Sequence, residues 1–184
     1  MEIKITTEQL LKVLQILSWI IFIGLCIEAG GIFFNAFYTT LINPVGAKSF
    51  YQNLDLSSLY NFDKGYFVTE ILLMGIVSIL KSILFYLIVK IFHNKKLNLK
   101  QPFNTEMKEF ISNLSYLSLA IGFFCCWGNQ YTNWIIAKGV AMPNITNLKF
   151  DAADVWLFMG IILLVIAQIF KRGVAIQSEN DLTI

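Results

Sequence analysis

The sequence predicts an all-α integral membrane protein with four transmembrane helices in an antiparallel bundle. Of its 184 residues, 57% are hydrophobic and 14% are charged, against about 25% charged in an average soluble domain. The hydrophobic residues gather in four stretches, at about 14–37, 67–92, 111–137 and 152–170. At about 1.5 Å per residue, each stretch is long enough to cross a hydrocarbon core of about 30 Å, the last only just. We therefore predict a single transmembrane domain over residues 1–184.

Basic residues are distributed unequally between the two ends of these stretches. One end carries nine: Lys4, Lys12, Lys90, Lys95, Lys96, Lys100, Lys108, Lys171 and Arg172. The other end carries four: Lys48, Lys64, Lys138 and Lys149. Because short cytoplasmic loops of membrane proteins are enriched in Lys and Arg, both termini, the loop 93–110 and the tail 171–184 are predicted in the cytoplasm. The net charge of +2 is too small to indicate direct nucleic-acid binding.

The first helix is predicted to start in the polar N-terminal segment. Thr6 and Gln9 have the spacing of a capping box, which satisfies the first turn of a helix. The apolar run that follows is longer than the core of a signal peptide and contains Glu28. We therefore expect a retained transmembrane helix.

The connection 38–66 between the first two helices is rich in aromatic residues. Aromatic rings beside charged groups are typical of the lipid headgroup layer. We therefore predict a short interfacial helix around residues 47–60, on the outer leaflet or capping the bundle. The segment has two interpretations, an interfacial anchor or a ligand-sensing lid, and anchoring alone accounts for its aromatic residues.

The third and fourth helices are predicted to extend beyond the membrane on the cytoplasmic side. Pro102 stops a preceding helix from continuing. Asn104, followed by Glu106, is a typical N-cap with an acid in the first helical turn. The fourth helix is predicted to run through the tail to about Glu179.

Polar side chains inside the apolar stretches predict a polar seam through the bundle. Lys81 lies about 16 Å from the inner end of its stretch, and Glu28 lies at a similar depth, counting about 1.5 Å per residue. A charge at that depth is costly unless it is paired or hydrated, so we predict that these two residues face each other. The predicted seam comprises Glu28, Glu70, Ser78, Lys81, Ser118 and Asn129.

This seam has two interpretations that the sequence does not separate. In the first, Glu28 and Lys81 form a structural ion pair that fixes the register of the helices. In the second, they border a small hydrated cavity that binds an ion, a proton or a polar ligand.

The sequence contains no recognisable catalytic or metal centre. His93 is the single histidine, and the three cysteines, Cys26, Cys125 and Cys126, lie within the apolar stretches. A metal site needs several convergent ligands, and an intramembrane hydrolase needs a nucleophile with a base, or a zinc ion. We therefore expect no enzymatic activity, no metal and no cofactor.

Two segments carry a family resemblance. Lys100 to Glu106 reads Lys-Gln-Pro-Phe-Asn-Thr-Glu, and the C-terminus has Lys171-Arg172-Gly173 followed by a final Asn-Asp-Leu-Thr-Ile. Both are similar to the bacterial membrane family Domain of Unknown Function 2975, and the four-span layout extends the resemblance over nearly the whole chain. The resemblance implies a multi-pass protein of the bacterial cell inner membrane. It also implies a partner, because members are often encoded beside a very short helix-turn-helix regulator.

A regulator of this kind would meet the cytoplasmic face. The expected contact residues are Pro102, Phe103, Glu179, Asp181, Leu182 and Ile184. The acids would face a basic DNA-binding surface, while the apolar residues would anchor it. The alternative is an ordinary polar helix end that keeps the C-terminus in water.

The leading hypothesis is a non-enzymatic inner-membrane regulatory or sensing protein that controls a small helix-turn-helix transcription regulator through its cytoplasmic face. The alternative is a small transporter, channel-like protein or immunity protein that uses the seam around Glu28 and Lys81. The lipid bilayer is a partner in both cases, and both are compatible with a homo-oligomer.

Overall fold

The computed structural model describes residues 7–93 and 103–181. Within these ranges there is no β-strand, and five α-helices occur: α1 (Thr7–Phe37), α2 (Ser57–Phe62), α3 (Lys64–His93), α4 (Thr105–Ala137) and α5 (Ala153–Asp181). A π-helical turn (Tyr38–Ile42) and two 3₁₀ turns (Pro44–Ser49 and Tyr51–Asn53) lie between α1 and α2. Four of the helices, α1, α3, α4 and α5, are long and apolar enough to cross a membrane, as in a multi-pass membrane protein.

Local sequence explains where the later helices begin and end. The side chain of Asn104 caps α4, because its Oδ1 accepts a hydrogen bond from the backbone N–H of Met107 at 2.7 Å. α5 continues without a break from its apolar half into a polar half that ends at Asp181. Thr6 of the predicted capping box and Pro102 lie outside the described residues.

The four long helices pack in chain order, each antiparallel to the one before. α1 packs on α3, α3 on α4, and α4 on α5, and the α4–α5 interface is the largest. Within the described residues, α1 makes no extensive contact with α4 or α5, so the bundle is open on that side. Large apolar side chains such as Ile20 and Phe34 are therefore exposed along α1. In a bilayer, lipid chains would cover such surfaces.

The connecting segments at one end of the bundle fold into a layer of their own. We call residues 38–63 and 138–152 the loop face, and the opposite end, where α1 begins and α5 ends, the terminal face. A core of fully buried side chains joins the loop face to the helices: Phe50, Leu56, Leu59, Phe67, Leu148 and Phe150. The loop face is thus a packed layer rather than a pair of surface loops.

The helix predicted at residues 47–60 is replaced by 3₁₀ turns and the short α2. Gln52 has a φ of 56°, a left-handed conformation that interrupts a right-handed helix. Asp55 then starts α2, because its Oδ1 accepts a hydrogen bond from the Ser57 N–H at 2.9 Å. Leu56 is fully buried, so this segment caps the helices rather than only lying on a membrane surface.

The connection between α4 and α5 turns back along α4. Phe150 is fully buried, and its ring fills the space beside Gly128 where a Cβ would stand. Gly128 lies about nine residues before Ala137, the end of α4, which corresponds to about 14 Å along the helix axis. α5 therefore begins well below the end of α4.

Glycines allow α4 and α5 to approach closely. A Cβ added to Gly122 would lie 2.9 Å from the backbone nitrogen of Leu157, and one added to Gly160 would lie 3.0 Å from that of Leu119. Across the same interface, the Ser115 hydroxyl donates a hydrogen bond to the carbonyl oxygen of Gly160 at 2.8 Å. Membrane helices commonly associate through such small residues and interhelical hydrogen bonds.

We predict that Gly122→Ala destabilises the protein and that Gly24→Ala does not. The first change sets a methyl group against the α5 backbone, which costs about 1–3 kcal/mol when a packed interface must shift. Among the described residues, nothing lies within 4 Å of a Cβ built on Gly24, so alanine there adds only helix propensity, up to about 1 kcal/mol. Thermal unfolding in detergent compares the two variants. Equal losses of stability would contradict the α4–α5 packing.

Candidate functional site

An ion pair joins the loop face to α1. The Lys149 Nζ lies 3.2 Å from Oε2 of Glu28, and it donates a hydrogen bond to Oε1 of Gln52 at 3.4 Å. The second carboxylate oxygen of Glu28, Oε1, accepts a hydrogen bond from the Ser78 hydroxyl of α3 at 3.2 Å. The Lys149 and Glu28 side chains are 23% and 16% exposed, so the pair is largely shielded from solvent. We call these four residues the floor cluster.

The predicted pairing of Glu28 with Lys81 is replaced by this cluster. The Lys81 Nζ instead lies 5.7 Å from the ring centroid of Trp156 in α5, and the face of an indole ring attracts a cation. Counting residues along two helices compares their depths, but it cannot show that a loop residue lies closer to Glu28. The counter-charge of Glu28 therefore comes from outside the four predicted spans.

The local sequence explains how Lys149 reaches Glu28. Its neighbours Leu148 and Phe150 are both fully buried, so the loop is held between the helices on either side of the lysine. Lys149 has a φ of 67° and Ala152 a φ of 56°, both in the left-handed region that residues with a side chain rarely adopt. The backbone thus turns sharply at the point where the lysine is presented.

A polar cavity of about 480 Å³ lies between the two segments of the loop face. Its polar wall residues include Gln52, Asn53, Asp55, Thr146, Asn147 and Lys149. Small-molecule sites in proteins usually measure about 300–1,000 Å³. Because Gln52 and Lys149 belong both to this wall and to the floor cluster, the cavity is continuous with the ion pair.

Asp55 gives the cavity wall a negative charge. Its Oδ1 accepts hydrogen bonds from the hydroxyl and the backbone N–H of Ser57, at 2.6 Å and 2.9 Å. These bonds, and to a smaller extent the positive charge of Lys48, hold the pKa of the Asp55 carboxyl below its usual range. The wall therefore carries one carboxylate and one ammonium group.

Unusual backbone conformations are concentrated at this cavity. Of the four non-glycine residues with positive φ in the described ranges, three line the cavity: Gln52, Asn53 and Lys149. Such conformations cost of order 1–3 kcal/mol each and persist where the surrounding structure enforces them, often at ligand sites. The surrounding structure therefore enforces the backbone of the cavity wall, and the cavity is the strongest candidate site.

Glu70, the second acid of the predicted seam, occupies a separate site between α3 and α4. It is fully buried, and its Oε1 accepts a hydrogen bond from the Thr132 hydroxyl at 2.7 Å. Its Oε2 is buried without a hydrogen-bond partner among the described residues. A buried carboxyl oxygen without a hydrogen bond is costly, and the Thr132 hydroxyl satisfies one of the two oxygens of Glu70. Thr132 therefore stabilises the interface between α3 and α4.

The other predicted seam residues do not join either site. The Ser118 hydroxyl donates to the carbonyl oxygen of Leu114 in its own helix, at 2.8 Å. The Asn129 Oδ1 accepts from the side-chain amide of Asn133, also in α4, at 2.8 Å. Among the described hydrogen bonds, the one from Ser78 to Glu28 joins two predicted seam residues, and Glu70 lies in a separate polar site.

Three polar residues that matter here were not in the predicted seam: Gln52, Thr132 and Lys149. Lys149 had a signal in the sequence, because its two neighbours, Leu148 and Phe150, are large apolar residues that a solvent-exposed loop seldom carries. Thr132 lies in the polar part of α4, but its partner on α3 depends on how the two helices rotate. Gln52 had no distinguishing signal.

The terminal face holds part of the predicted partner surface. Phe103 packs against Phe170, with ring centroids 5.2 Å apart, and against Gly173 of α5, while 39% of it stays exposed. Glu179 is exposed on the last turns of α5. The remaining predicted contacts lie outside the described residues: Pro102, Leu182, Ile184 and the side chain of Asp181.

The candidate site presents several groups that can bind a polar ligand. The floor cluster and the cavity wall supply an ammonium group, carboxylates, amides and hydroxyls, which recognise a polar ligand through charge and hydrogen bonds. In the part of the chain that the structure describes, no group of three or more His, Cys, Asp or Glu residues is placed to hold a metal ion.

A protein-family model matches residues 51–184, and its description is "Protein of unknown function (DUF2975)". The chain belongs to the DUF2975 family. The DUF2975 match includes the cavity wall, α3, α4 and α5, but it begins at Tyr51 and leaves out α1 with Glu28. It is thus shorter than the resemblance suggested from the sequence. No curated protein and no solved structure matches the chain.

We predict that Glu28 is energetically coupled to Lys149 and not to Lys81. Glu28→Gln or Lys149→Met leaves the opposite charge partly buried and unpaired, so each should lower the free energy of unfolding by about 1–2 kcal/mol. The double variant should recover about 1 kcal/mol of the summed loss. Lys81→Met is the matched control, and with Glu28→Gln it should be additive within about 0.5 kcal/mol. Unfolding in mild detergent measures all five variants, and coupling to Lys81 alone would contradict the floor cluster.

We also predict that Thr132→Val destabilises the protein more than Ser118→Ala. Both hydroxyls are buried in α4 and lie within hydrogen-bond distance of a carbonyl oxygen of that helix, but that of Thr132 also bonds to Glu70 on α3. Removing the Thr132 hydroxyl leaves a second oxygen of Glu70 unsatisfied, which costs about 1–3 kcal/mol. Thermal unfolding compares the variants, and equal effects would show that the contact contributes nothing.

Proposed function

We propose that this protein is a non-enzymatic membrane sensor that binds a small polar ligand at the loop face and controls a soluble partner at the terminal face. The observation that carries the proposal is the floor cluster at the wall of the polar cavity. Through it, α1, α3 and both loop-face segments meet at one ion pair. A ligand that changes the partner of Lys149 therefore acts on several elements at once.

The orientation of the sensor follows from its basic residues. The nine basic residues of the terminal side against four on the loop side support a cytoplasmic terminal face. Lys90 and Lys108 lie near helix ends on that face, and Lys171 and Arg172 lie in the half of α5 that leads to it. The loop-face cavity then opens to the outside, and the family resemblance supports the bacterial inner membrane as the location.

α4 and α5 provide a physical connection between the two faces. The two helices are in contact at Gly122 with Leu157 and at Gly160 with Leu119. Phe150, just before α5, packs beside Gly128 of α4, and Phe103, just before α4, packs beside Gly173 of α5. Coupling between distant sites requires an element whose position both sites bias, and a closely packed helix pair can move as a unit. A ligand drives such a change only if it binds one arrangement better than the other.

The proposed partner is a small helix-turn-helix transcription regulator. Exposed Glu179 and the acidic, apolar tail beyond it suit the basic surface of a DNA-binding protein. Phe103, partly exposed beside α5, adds an apolar contact on the same face. A regulator held in this way would be kept from DNA until the terminal face changed.

The second candidate function is a small transporter, channel-like protein or immunity protein. The observation that favours it is Glu70, whose Oε2 is buried without a partner among the described residues. Ionisable groups inside membrane segments often mark paths of ions or protons. This function requires Glu70 for flux or protection, whereas the sensor requires the tail.

Co-purification from native cells tests the sensor. We expect the full chain, solubilised in mild detergent, to retain a small DNA-binding protein identified by mass spectrometry. A variant whose residues 180–184 are replaced by a Gly-Ser segment of equal length should lose that partner, because the acids and apolar anchors are removed. Glu70→Gln is the matched control and should retain it.

Failure of the full chain to retain any DNA-binding protein would overturn the regulatory function. Loss of ion flux or protection in Glu70→Gln, in a protein that still folds and with a tail variant that stays active, would favour the second candidate.

A further inference from the structure

We propose that the loop-face cavity binds a small zwitterion, whose anionic group takes Lys149 from Glu28 and whose ammonium group is held by Asp55. This inference deepens the proposed sensing function and rests on it for the meaning of the signal. The binding itself depends only on the cavity. A free amino acid or short peptide and a phosphatidylethanolamine headgroup share this chemistry.

The charges of the cavity wall select this class of ligand. Asp55 and Lys149 are the charged residues that line the cavity in the described ranges. An anion without a positive group would be repelled by Asp55, and a cation without a negative group would be repelled by Lys149. A zwitterion matches both, and its polar middle can bond to the side-chain amides of Asn53 and Asn147 in the same wall.

Both charged groups have bonding capacity left for a ligand. An ammonium group has three N–H donors, and among the described residues the Lys149 Nζ contacts two acceptors, Glu28 and Gln52. For Asp55, both hydrogen bonds from Ser57 go to Oδ1, so Oδ2 has no bond within those residues. A ligand can therefore bond to both groups before Lys149 leaves Glu28.

Glu28 makes the site a competition between two anions. A ligand carboxylate or phosphate and the Glu28 carboxylate would share the same ammonium group, and each weakens the hold of the other. Glu28 would keep its hydrogen bond from Ser78 after Lys149 turns toward the ligand. Tyr51, another wall residue, packs directly on Gly31 of α1, so the cavity reaches this helix at a second point.

The competition predicts opposite effects for the two halves of the ion pair. Lys149→Met should abolish binding, whereas Glu28→Gln should tighten it about fivefold, since a partly exposed ion pair contributes about 1 kcal/mol. Asp55→Asn should weaken the zwitterion and improve binding of its N-acetylated form relative to the free form. Lys138→Gln is the matched control, because Lys138 lies on the loop face over Trp134 and does not line the cavity.

The first experiment uses the purified full chain in neutral detergent. The probes are the standard free amino acids and dialanine, each titrated by calorimetry against sodium chloride of equal ionic strength. For any probe that binds, its amide and its N-acetyl form test the two charges separately, and both should bind up to about fivefold more weakly, since an exposed charge contact contributes up to about 1 kcal/mol.

The second experiment tests the lipid source in nanodiscs. Phosphatidylethanolamine discs should raise the unfolding temperature relative to phosphatidylcholine discs only if the headgroup is the ligand, and Lys149→Met should remove that difference. If Lys149→Met does not fold, Glu28→Gln and Asp55→Asn still give opposite effects on affinity.

The proposal is overturned if no free probe binds and the two lipids are equivalent, if binding survives Lys149→Met, or if Glu28→Gln weakens it. Partner capture plays no part in these measurements. A failed co-purification therefore leaves the zwitterion site standing, and a failed titration leaves the regulatory function standing.

Discussion

A charge among apolar helices needs a counter-charge, and Glu28 obtains its own from a loop. This requirement explains why the connection after α4 runs back along that helix and presents Lys149 at the level of Glu28. It also explains the left-handed backbone at Lys149, which a simple surface loop would not need. Three other features go with this position of Lys149. They are the polar cavity, the buried side chains of Leu148 and Phe150 on either side of the lysine, and the start of α5 well below the end of α4.

The open bundle makes the same ion pair important for α1. In the described ranges, α3 is the one long helix on which α1 packs extensively, whereas α4 and α5 are joined by glycine contacts and the Ser115 hydrogen bond. Among the described residues, the floor cluster is the polar interaction that ties α1 to the segment after α4. A change at the floor cluster can therefore bias the position of α1, provided that the ligand binds one arrangement better than the other. The DUF2975 match, which begins at Tyr51, includes Lys149 and omits its partner on α1.

The sequence predicts the four long helices well because their signal is local. Apolar runs of sufficient length and the Asn104 cap depend on neighbouring residues alone. Glu28 and Ser78 were both among the predicted seam residues, since polar side chains inside an apolar stretch are conspicuous. The pairing with Lys81 was wrong because depth along a helix says nothing about which face a side chain occupies or whether a loop enters the bundle. The cavity depends on contacts between residues far apart in the chain, such as Gln52 with Lys149, which are 97 residues apart, and no local pattern encodes these.

The ion pair at the floor of the cavity is the central claim, and chemical cross-linking tests it most directly. A water-soluble carbodiimide joins a carboxylate to an amine only when the two are in contact, and mass spectrometry of the digested protein identifies the linked residues. We expect an amide bond between Glu28 and Lys149 in the folded membrane protein, lost in Glu28→Gln. A linkage of Glu28 to Lys81, or none to Lys149 while other surface pairs are joined, would contradict the account.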